Sequence, residues 1–254
     1  MTQINLYLTP QQADELALRE KTVVMIDVLR SSTTITTALA HGARQVIPAT
    51  SVESAVKISG NLFGDVFLLG GERNGKMIQG FSLGNSPLEY TEERVRGKSI
   101  IFSSSNGTQA LAKGRHARTL LVCGFINVSA VAEVLQRIGG DLTILCAGNE
   151  GSIALEDAVC AGLLMHRVAG WTADTPGLPD GASVALSLHK AYGKSPLKML
   201  QASEHGRHLA GLGFGDDLRV CAGVDSCSVV PSFEGGVLKT LPPPPRAAEP
   251  SGSH

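Results

Sequence analysis

Aromatic residues are scarce in this sequence, and long apolar runs are absent. Phe, Trp and Tyr together make up 4% of its 254 residues, too few to predict the aromatic slot that a nucleotide base usually requires. No apolar stretch approaches the roughly 20 residues of a membrane-spanning helix. Residues 1–6 also lack the basic and apolar regions of a secretory signal. We therefore expect neither a membrane partner nor export.

Charge and cysteine content exclude further classes of protein. The net charge is −1, so no basic excess predicts binding to nucleic acid or to an anionic membrane. The five cysteines lack the spacing of zinc sites or of a disulfide framework. Cys123, Cys146 and Cys160 lie among apolar residues, which favours reduced, buried thiols. We expect a soluble cytoplasmic protein. Its oligomeric state stays open, with a homo-oligomer as one option.

Short apolar runs alternate with helical patterns along much of the chain. Predicted strands cover residues 22–26, 45–47, 66–69, 99–102, 120–122 and 142–145. Apolar strands without alternation, separated by helices, predict a largely parallel sheet that is covered on both faces. The predicted fold class is therefore α/β, with additional helices in the C-terminal third.

Two segments of the sequence resemble each other. Residues 37–44 and 109–118 share an Ala-Leu-Ala stretch, a following Gly and a later Ala-Arg pair. Any β-α-β unit shows part of this pattern, because Ala and Leu favour helices and Gly favours their ends. Turn, helix, cap and next strand nevertheless line up. We predict two related three-layer α/β halves, residues 1–95 and 96–240, followed by a disordered Pro-rich tail at 241–254.

Polar residues follow four of the predicted strands. In a parallel sheet, ligands collect where strands end and helix N-termini present free N–H groups. The candidates occur in four turns: Asp27, Arg30, Ser31 and Ser32; Glu72, Arg73 and Lys76; Ser103, Ser104, Ser105, Asn106 and Gly107; and Asn149 with Glu156 and Asp157. Carboxylates suit a hard cation, whereas arginines and hydroxyls suit phosphate. Helix capping and charged surface loops are the alternative explanations.

Other well-known motifs are missing. No G-x-G-x-x-G, P-loop or H-E-x-x-H pattern occurs, which disfavours a nicotinamide enzyme, a P-loop protein and a zinc protease. His166, His189, His205 and His208 are predicted to be surface or interhelical residues rather than zinc ligands. Cys146 is not expected to be a nucleophile, since no arginine follows it in a phosphate-binding loop.

Several longer motifs resemble the 2-phosphosulfolactate phosphatase family, in that family's order. They are IDVLRSSTT, GGERNGKMIQGFSLGNSPLEY, SSSNGTQAL, CAGNEG, LEDAVCAG and HGRHLAGLGFGDDLRVCAGVD. The resemblance extends from about residue 2 to residue 238. It implies a phosphoric monoester hydrolase that uses Mg²⁺ to convert 2-phosphosulfolactate, a small anionic phosphate ester, into sulfolactate and phosphate in coenzyme M biosynthesis. It also implies a two-part α/β architecture.

Matching the motifs, together with the hydroxyl and cationic groups of the turns and of Arg207, assigns expected roles to residues of this chain. Metal ligands are expected at Asp27, with Glu72, Glu156 or Asp157. Catalytic roles are expected for Asp27, Arg30, Glu72 and Arg73. Substrate binding is expected from Ser31, Ser32, Lys76, Asn85, Ser103, Ser104, Ser105, Asn106, Gly107, Asn149 and Arg207. The alternative is a non-catalytic binding protein or sensor for a phosphorylated metabolite, which would not need four carboxylates together.

Overall fold

The computed structural model describes residues 3–60 and 66–241. The strands are β1 (Ile4–Tyr7), β2 (Thr22–Ile26), β3 (Gln45–Pro48), β4 (Phe67–Arg73), β5 (Lys76–Met77), β6 (Ser99–Ser103), β7 (Thr119–Cys123), β8 (Leu142–Cys146), β9 (Pro231–Glu234) and β10 (Val237–Thr240). Most of the predicted tail, residues 242–254, lies outside the described residues.

Helices connect most of these strands and dominate the C-terminal third. They are α1 (Glu15–Leu18), α2 (Ser31–Ala40), α3 (Val52–Gly60), α4 (Glu92–Val95), α5 (Gly107–Lys113), α6 (Val128–Ile138), α7 (Leu155–Ala169), α8 (Asp180–Tyr192), α9 (Pro196–Ala202), α10 (Glu204–Gly211) and α11 (Gly215–Cys221). Short 3-10 helices cover Pro10–Gln12, Pro87–Glu89 and Phe125–Asn127. Among the described residues, no helix has the length and apolar character needed to cross a membrane.

The strands form one sheet in the order β1-β8-β2-β7-β9-β10-β3-β6-β4-β5. Strands β1, β8, β2 and β7 run parallel to one another, as do β3, β6 and β4. The hairpin β9–β10 joins these two parallel groups through antiparallel pairs with β7 and β3. The α/β class, the largely parallel sheet and the additional C-terminal helices are therefore confirmed.

The strand order carries an internal symmetry. The unit β2-α2-β3-α3-β4 is followed along the chain by a second unit of the same kind, β6-α5-β7-α6-β8. Strands β2, β3 and β4 of the first unit correspond to β6, β7 and β8 of the second. When these strands are exchanged, and β9 is exchanged with β10, the sheet order from β8 to β4 becomes its own reverse. This arrangement supports the predicted internal repeat. Strands from before and after residue 95 are interleaved in the sheet, and the boundary at that residue stays a prediction.

Strand β2 is buried on both faces, as the absence of alternation in its sequence predicts. Val24 and Ile26 belong to an apolar cluster that includes residues of α6 and α7, whereas Val23 and Met25 belong to a second cluster that includes residues of α2 and α5. Successive side chains of a strand point to opposite faces of the sheet. At β2 the sheet is therefore the middle of three layers, with helices on both faces.

The sheet must coil around α2 and α5. Five interstrand steps of about 4.8 Å separate β2 from β6 in a flat sheet, yet the turns after these two strands are in contact. The hydroxyl oxygens of Ser31 and Ser104 lie 3.0 Å apart. Coiling therefore brings the carboxyl ends of corresponding strands in the two repeats to one place.

Candidate active site

A polar pocket lies where the turns after β2 and β6 meet. It encloses a cavity of about 40 Å³. Its wall comes from the turns after β2, β4, β6 and β8 and from α10, with one residue before the 3-10 helix at Pro87–Glu89. The lining residues are Asp27, Leu29, Arg30, Ser31, Glu72, Asn74, Gly75, Asn85, Ser105, Asn106, Asn149, Glu150, His205 and His208. Eight of these are residues that the sequence predicts for the site.

Asp27 is the carboxylate at the carboxyl end of β2, and its side chain is buried at the first turn of α2. Its Oδ1 accepts a hydrogen bond from the backbone N–H of Ser31 at 3.3 Å. The Asp27 backbone N–H donates to Ser32 Oγ at 2.9 Å. Burial raises the pKa of Asp27 to about 6. Hydrogen bonds from Ser31 and the charge of the nearby His205 oppose this rise, and the charge of Glu72 adds to it. A bound cation would favour the ionised form.

The N-terminus of α5 approaches Asp27 without a side chain in between. A Cβ added at Gly107 would lie 2.5 Å from Asp27 Oδ2 and equally close to Cβ and Oγ of Ser31. No real Cβ tolerates such contacts, so this approach requires glycine. Ser31 Oγ donates to Ser104 Oγ at 3.0 Å, which joins the two turns across the same contact.

Glu72 connects two loops at the pocket wall. Its Oε2 accepts from the backbone N–H of Gly75 at 2.8 Å, and its Oε1 accepts from the backbone N–H of Ser105 at 2.7 Å. Ser105 Oγ also donates to Oε2 at 3.2 Å. Glu72 therefore holds the β4–β5 turn against the turn after β6, because both of its oxygens accept hydrogen bonds from those turns.

Arg30 is a buried cation beside the pocket. Its guanidinium donates to Asp217 Oδ2 at 2.7 Å and to the backbone carbonyl of Gly75 at 2.8 Å. It also lies over the ring of Phe214, with 4.4 Å between its central carbon and the ring centroid. Within the described residues, Arg30 is the only lysine or arginine that lines the cavity.

Two histidines of α10 complete the wall. His205 Nδ1 lies 3.5 Å from Glu156 Oε1, which is an ion-pair distance rather than a hydrogen bond. Burial lowers the pKa of His205, but the adjacent carboxylate of Glu156 and the charge of Asp27 outweigh burial and raise it above the ordinary value. His208 lines the cavity on the same helix. The sequence-based assignment of His205 and His208 to surface or interhelical positions overlooked this location.

Asp157 is close to the site but has a different set of contacts. Its two oxygens accept from the backbone N–H groups of Val28 at 2.8 Å and Gly148 at 3.1 Å. Burial, followed by the charges of Asp27 and Glu156, raises its pKa well above the ordinary value. Asp157 therefore ties the turns after β2 and β8 together and does not line the cavity.

Other predicted residues also lie outside the cavity wall. Ser32 is buried beneath Asp27, and Arg73 donates to Ser103 Oγ at 2.9 Å. Ser104 and Gly107 are at the contact between the turns, Glu156 and Arg207 line a neighbouring pocket, and Lys76 is exposed on β5. The functional roles of these residues stay predictions.

Several residues of the site escaped sequence reasoning. They are Leu29, Asn74, Gly75, Glu150, His205, His208 and Asp217. The three-residue spacing of His205 and His208 on one helix was a usable signal, because residues three apart share a helical face. Asp217 is 187 residues away from Arg30 along the chain, and no local pattern connects the two.

The donor set of the pocket fits a hard cation. Asp27, Glu72 and Glu150 contribute three carboxylates, whereas Arg30 is already paired with Asp217. The buried Oδ1 of Asn85 has no hydrogen-bond partner. Within residues 3–60 and 66–241, no three His, Cys, Asp or Glu side chains form a ready-made metal cluster. Mg²⁺ does not require one, since it commonly uses one or two carboxylates with water and substrate phosphate.

An α/β sheet with a small polar pocket at its strand ends defines a class of proteins that act on small polar ligands. Comparison with known proteins specifies the family. A family model described as 2-phosphosulpholactate phosphatase matches residues 7–236. The chain therefore belongs to the 2-phosphosulpholactate phosphatase family, and it is a phosphoric monoester hydrolase.

Individual relatives are similar over almost their entire length. A protein of Symbiobacterium thermophilum is 42% identical over 233 residues, covering 90% of this chain and 97% of the relative. One from Caldanaerobacter subterraneus subsp. tengcongensis is 39% identical over 234 residues, covering 92% and 96%. One from Clostridium tetani is 32% identical over 237 residues, covering 93% and 99%. All three are named as probable 2-phosphosulfolactate phosphatases.

The close approach at Gly107 leads to a first prediction. Gly107→Ala introduces a Cβ that must displace Asp27 or Ser31. We expect kcat to fall by at least about tenfold, because small misplacements of reacting groups are costly. Stability should fall by about 1–3 kcal/mol from overpacking. Steady-state phosphate release and thermal unfolding measure the two effects.

Gly215→Ala is the matched control for this variant. Gly107 and Gly215 are both first residues of seven-residue helices, but a Cβ at Gly215 meets no atom within 4 Å. The control should keep the activity and stability of the parent. Equal activity of the two variants would show that the Asp27–Gly107 contact does not matter for catalysis.

Proposed function

We propose that this chain hydrolyses 2-phosphosulfolactate to sulfolactate and phosphate with the help of Mg²⁺, as a step of coenzyme M biosynthesis. The reaction is the one in the names of its relatives. The observation that supports the cation requirement is the charge of the pocket. Three acidic residues, one paired arginine and two histidines line a cavity that must receive a dianionic phosphoryl group.

A cation resolves this conflict of charge. Without one, the buried carboxylates of Asp27 and Glu72 would repel the phosphoryl oxygens in surroundings of reduced dielectric constant, and the exposed Glu150 would add to this repulsion. Asp27, with the amide oxygen of Asn85, would hold Mg²⁺, since both are oxygen donors whose bonding capacity is not exhausted by the protein. When bound, the ion supplies positive charge to the phosphoryl oxygens as negative charge develops there.

The protein's own groups bind and orient the substrate. The guanidinium of Arg30 and the first turn of α2 face the position of the phosphoryl oxygens. In the reaction, a water oxygen bonds to phosphorus and the bond from phosphorus to the ester oxygen breaks. The water loses one proton, and the leaving oxygen gains one. His205 is a titratable group of the cavity wall that is available for these proton movements, since Asp27 is assigned to the cation.

The size of the cavity indicates where the rest of the ester lies. A volume of about 40 Å³ has room for about three waters, at about 10–15 Å³ each on the same measure, so it suits a phosphoryl group but not a whole ester. A neighbouring pocket of about 340 Å³ shares Asn149, Glu150 and His205 with it. We place the body of the ester in this neighbouring pocket, where Arg207 offers a cation for a second acidic group.

The charge argument predicts that phosphate release requires a divalent cation. Exhaustive treatment with EDTA should lower kcat by at least about 100-fold, because the metal supplies several kcal/mol of charge stabilisation. Mg²⁺ or Mn²⁺ should restore the rate. Release of phosphate from the ester is measured before and after readdition of metal. Full activity in excess EDTA would refute the requirement.

Asp27→Asn should remove turnover and leave the fold intact. The amide has nearly the same shape but lacks the charge that a cation needs, so we expect kcat to fall by at least about 1,000-fold. Asp180→Asn, at the exposed first residue of α8, is the control and should retain the parental rate. Near-normal kcat in Asp27→Asn with a normal unfolding curve would show that the site is misplaced.

The pocket should prefer small esters that carry a second acidic group. Phosphosulfolactate, phospholactate and phosphoglycolate should therefore give higher kcat/KM than a nucleoside monophosphate, because no Phe, Tyr or Trp of the described residues lines the two pockets to receive a base. Arg207→Ala should raise KM for phosphosulfolactate by about tenfold, the value of one charge-assisted contact. Arg219→Ala, on the exposed side of α11, is its control. A tenfold preference for the nucleotide would contradict this description of the pocket.

A further inference from the structure

The contacts of Arg30 form a closed arrangement that no motif near Arg30 accounts for. The side chains of Arg30 and Asp217 are each 2% exposed, and their ion pair measures 2.7 Å. The remaining oxygen of Asp217 accepts a hydrogen bond from Ser86 Oγ at 2.6 Å. Both carboxylate oxygens are therefore occupied, and Asp217 is fixed on α11 by a residue from the loop before the 3-10 helix at Pro87–Glu89.

Two further contacts fix the plane of the guanidinium. The Gly75 carbonyl accepts from Arg30 Nη2, whereas Asp217 accepts from Nη1. The ring of Phe214 covers one face at 4.4 Å. A guanidinium has five N–H donors, and these two bonds leave three without a protein acceptor among the described residues. Since Arg30 lines the cavity, those of the three that face the cavity are available to a ligand.

A fully buried ion pair is an expensive way to stabilise a fold, because desolvation offsets most of its Coulomb energy. A pair of apolar residues of similar volume would often serve stability equally well. An apolar pair would lack one feature of the pair here. Arg30 is a cation that is held in one orientation and has N–H donors left for a ligand at the cavity. This feature points to ligand binding rather than to packing alone.

We propose that Asp217 is a positioning residue, which holds the guanidinium of Arg30 in the orientation that receives the phosphoryl group. The inference rests on the proposed function, since it takes Arg30 as the phosphoryl-binding cation. Two other residues help to fix this orientation. Ser86 holds the carboxylate of Asp217, and the ring of Phe214 covers one face of the guanidinium. Asp217 itself does not line the cavity and has no direct contact with the substrate.

The test uses inorganic phosphate as ligand and the full-length chain with Mg²⁺. Asp217→Asn removes the charge and keeps the shape, so Arg30 loses its fixed partner. We expect the Kd for phosphate, measured by calorimetry, to rise at least about tenfold, and kcat/KM for the ester to fall at least about 100-fold. Asp217→Glu, which retains the charge, should recover part of the phosphate affinity. Ser86→Ala should give a smaller increase in Kd, about threefold.

Asp216→Asn is the matched control, because Asp216 neighbours Asp217 on α11 and is 85% exposed. It should bind phosphate as the parent does. If Asp217→Asn is folded and binds phosphate within twofold of the parent, the proposal is overturned. If it does not fold, Ser86→Ala and Asp217→Glu replace it, because both keep Arg30 and a charged partner and change only how that partner is held. Parental phosphate affinity in both folded variants overturns the proposal, and a raised Kd in either supports it.

The two proposals fail in different ways. If the parent binds phosphate but releases none from any ester, the proposed function fails and the role of Asp217 in binding is still measurable. If the parent hydrolyses the ester and Asp217→Asn keeps the same phosphate Kd, the proposed function stands and the positioning role is wrong.

Discussion

The site depends on one close contact between two helix N-termini. Corresponding turns of the two repeats meet where Gly107 approaches the Asp27 carboxylate and Ser31 bonds to Ser104. This contact needs a coiled sheet, since a flat one would separate β2 from β6 by about 24 Å. It also needs glycine at position 107. The β9–β10 hairpin, which joins the two parallel groups of strands, therefore matters to the site although it contributes no residue to it.

Around this contact, buried carboxylates hold separate loops in register. Glu72 ties the β4–β5 turn to the turn after β6, Asp157 ties the turns after β2 and β8, and Asp217 ties Arg30 to Ser86. Each of these acids accepts two or more hydrogen bonds, which is how a buried charge becomes tolerable. Asp27 differs, because the hydrogen bond from the backbone N–H of Ser31 leaves part of its capacity to accept hydrogen bonds unused. It is therefore the best candidate among the four for a metal ligand.

Local sequence pattern was sufficient to predict six of the described strands, the largely parallel sheet and the polar turns at strand ends. It missed β1, β5 and the β9–β10 hairpin. It placed Asp27, Ser31, Glu72 and Asn106 at one edge of the sheet, because each follows an apolar strand and the carboxyl ends of parallel strands lie at the same edge. It could not reveal that Asp157 would serve two backbone N–H groups, or that Asp217 would pair with Arg30. Such contacts depend on which helix packs at the sheet edge. They join residues more than 100 positions apart, and no local sequence pattern predicts them.

The two repeats contribute turns of different charge to the pocket. Both repeats supply a strand, a turn and a helix at the same place, but the first turn carries Asp27 and Arg30 whereas the second carries uncharged Ser104, Ser105 and Asn106. Two charged turns would bring two carboxylates together at the Gly107 contact, and mutual repulsion would raise the pKa of at least one. A single charged turn facing a neutral, donor-rich one avoids this repulsion. Under the proposed function, the charged turn would hold the cation through Asp27 and the phosphoryl group through Arg30, and the neutral turn would supply further hydrogen-bond donors.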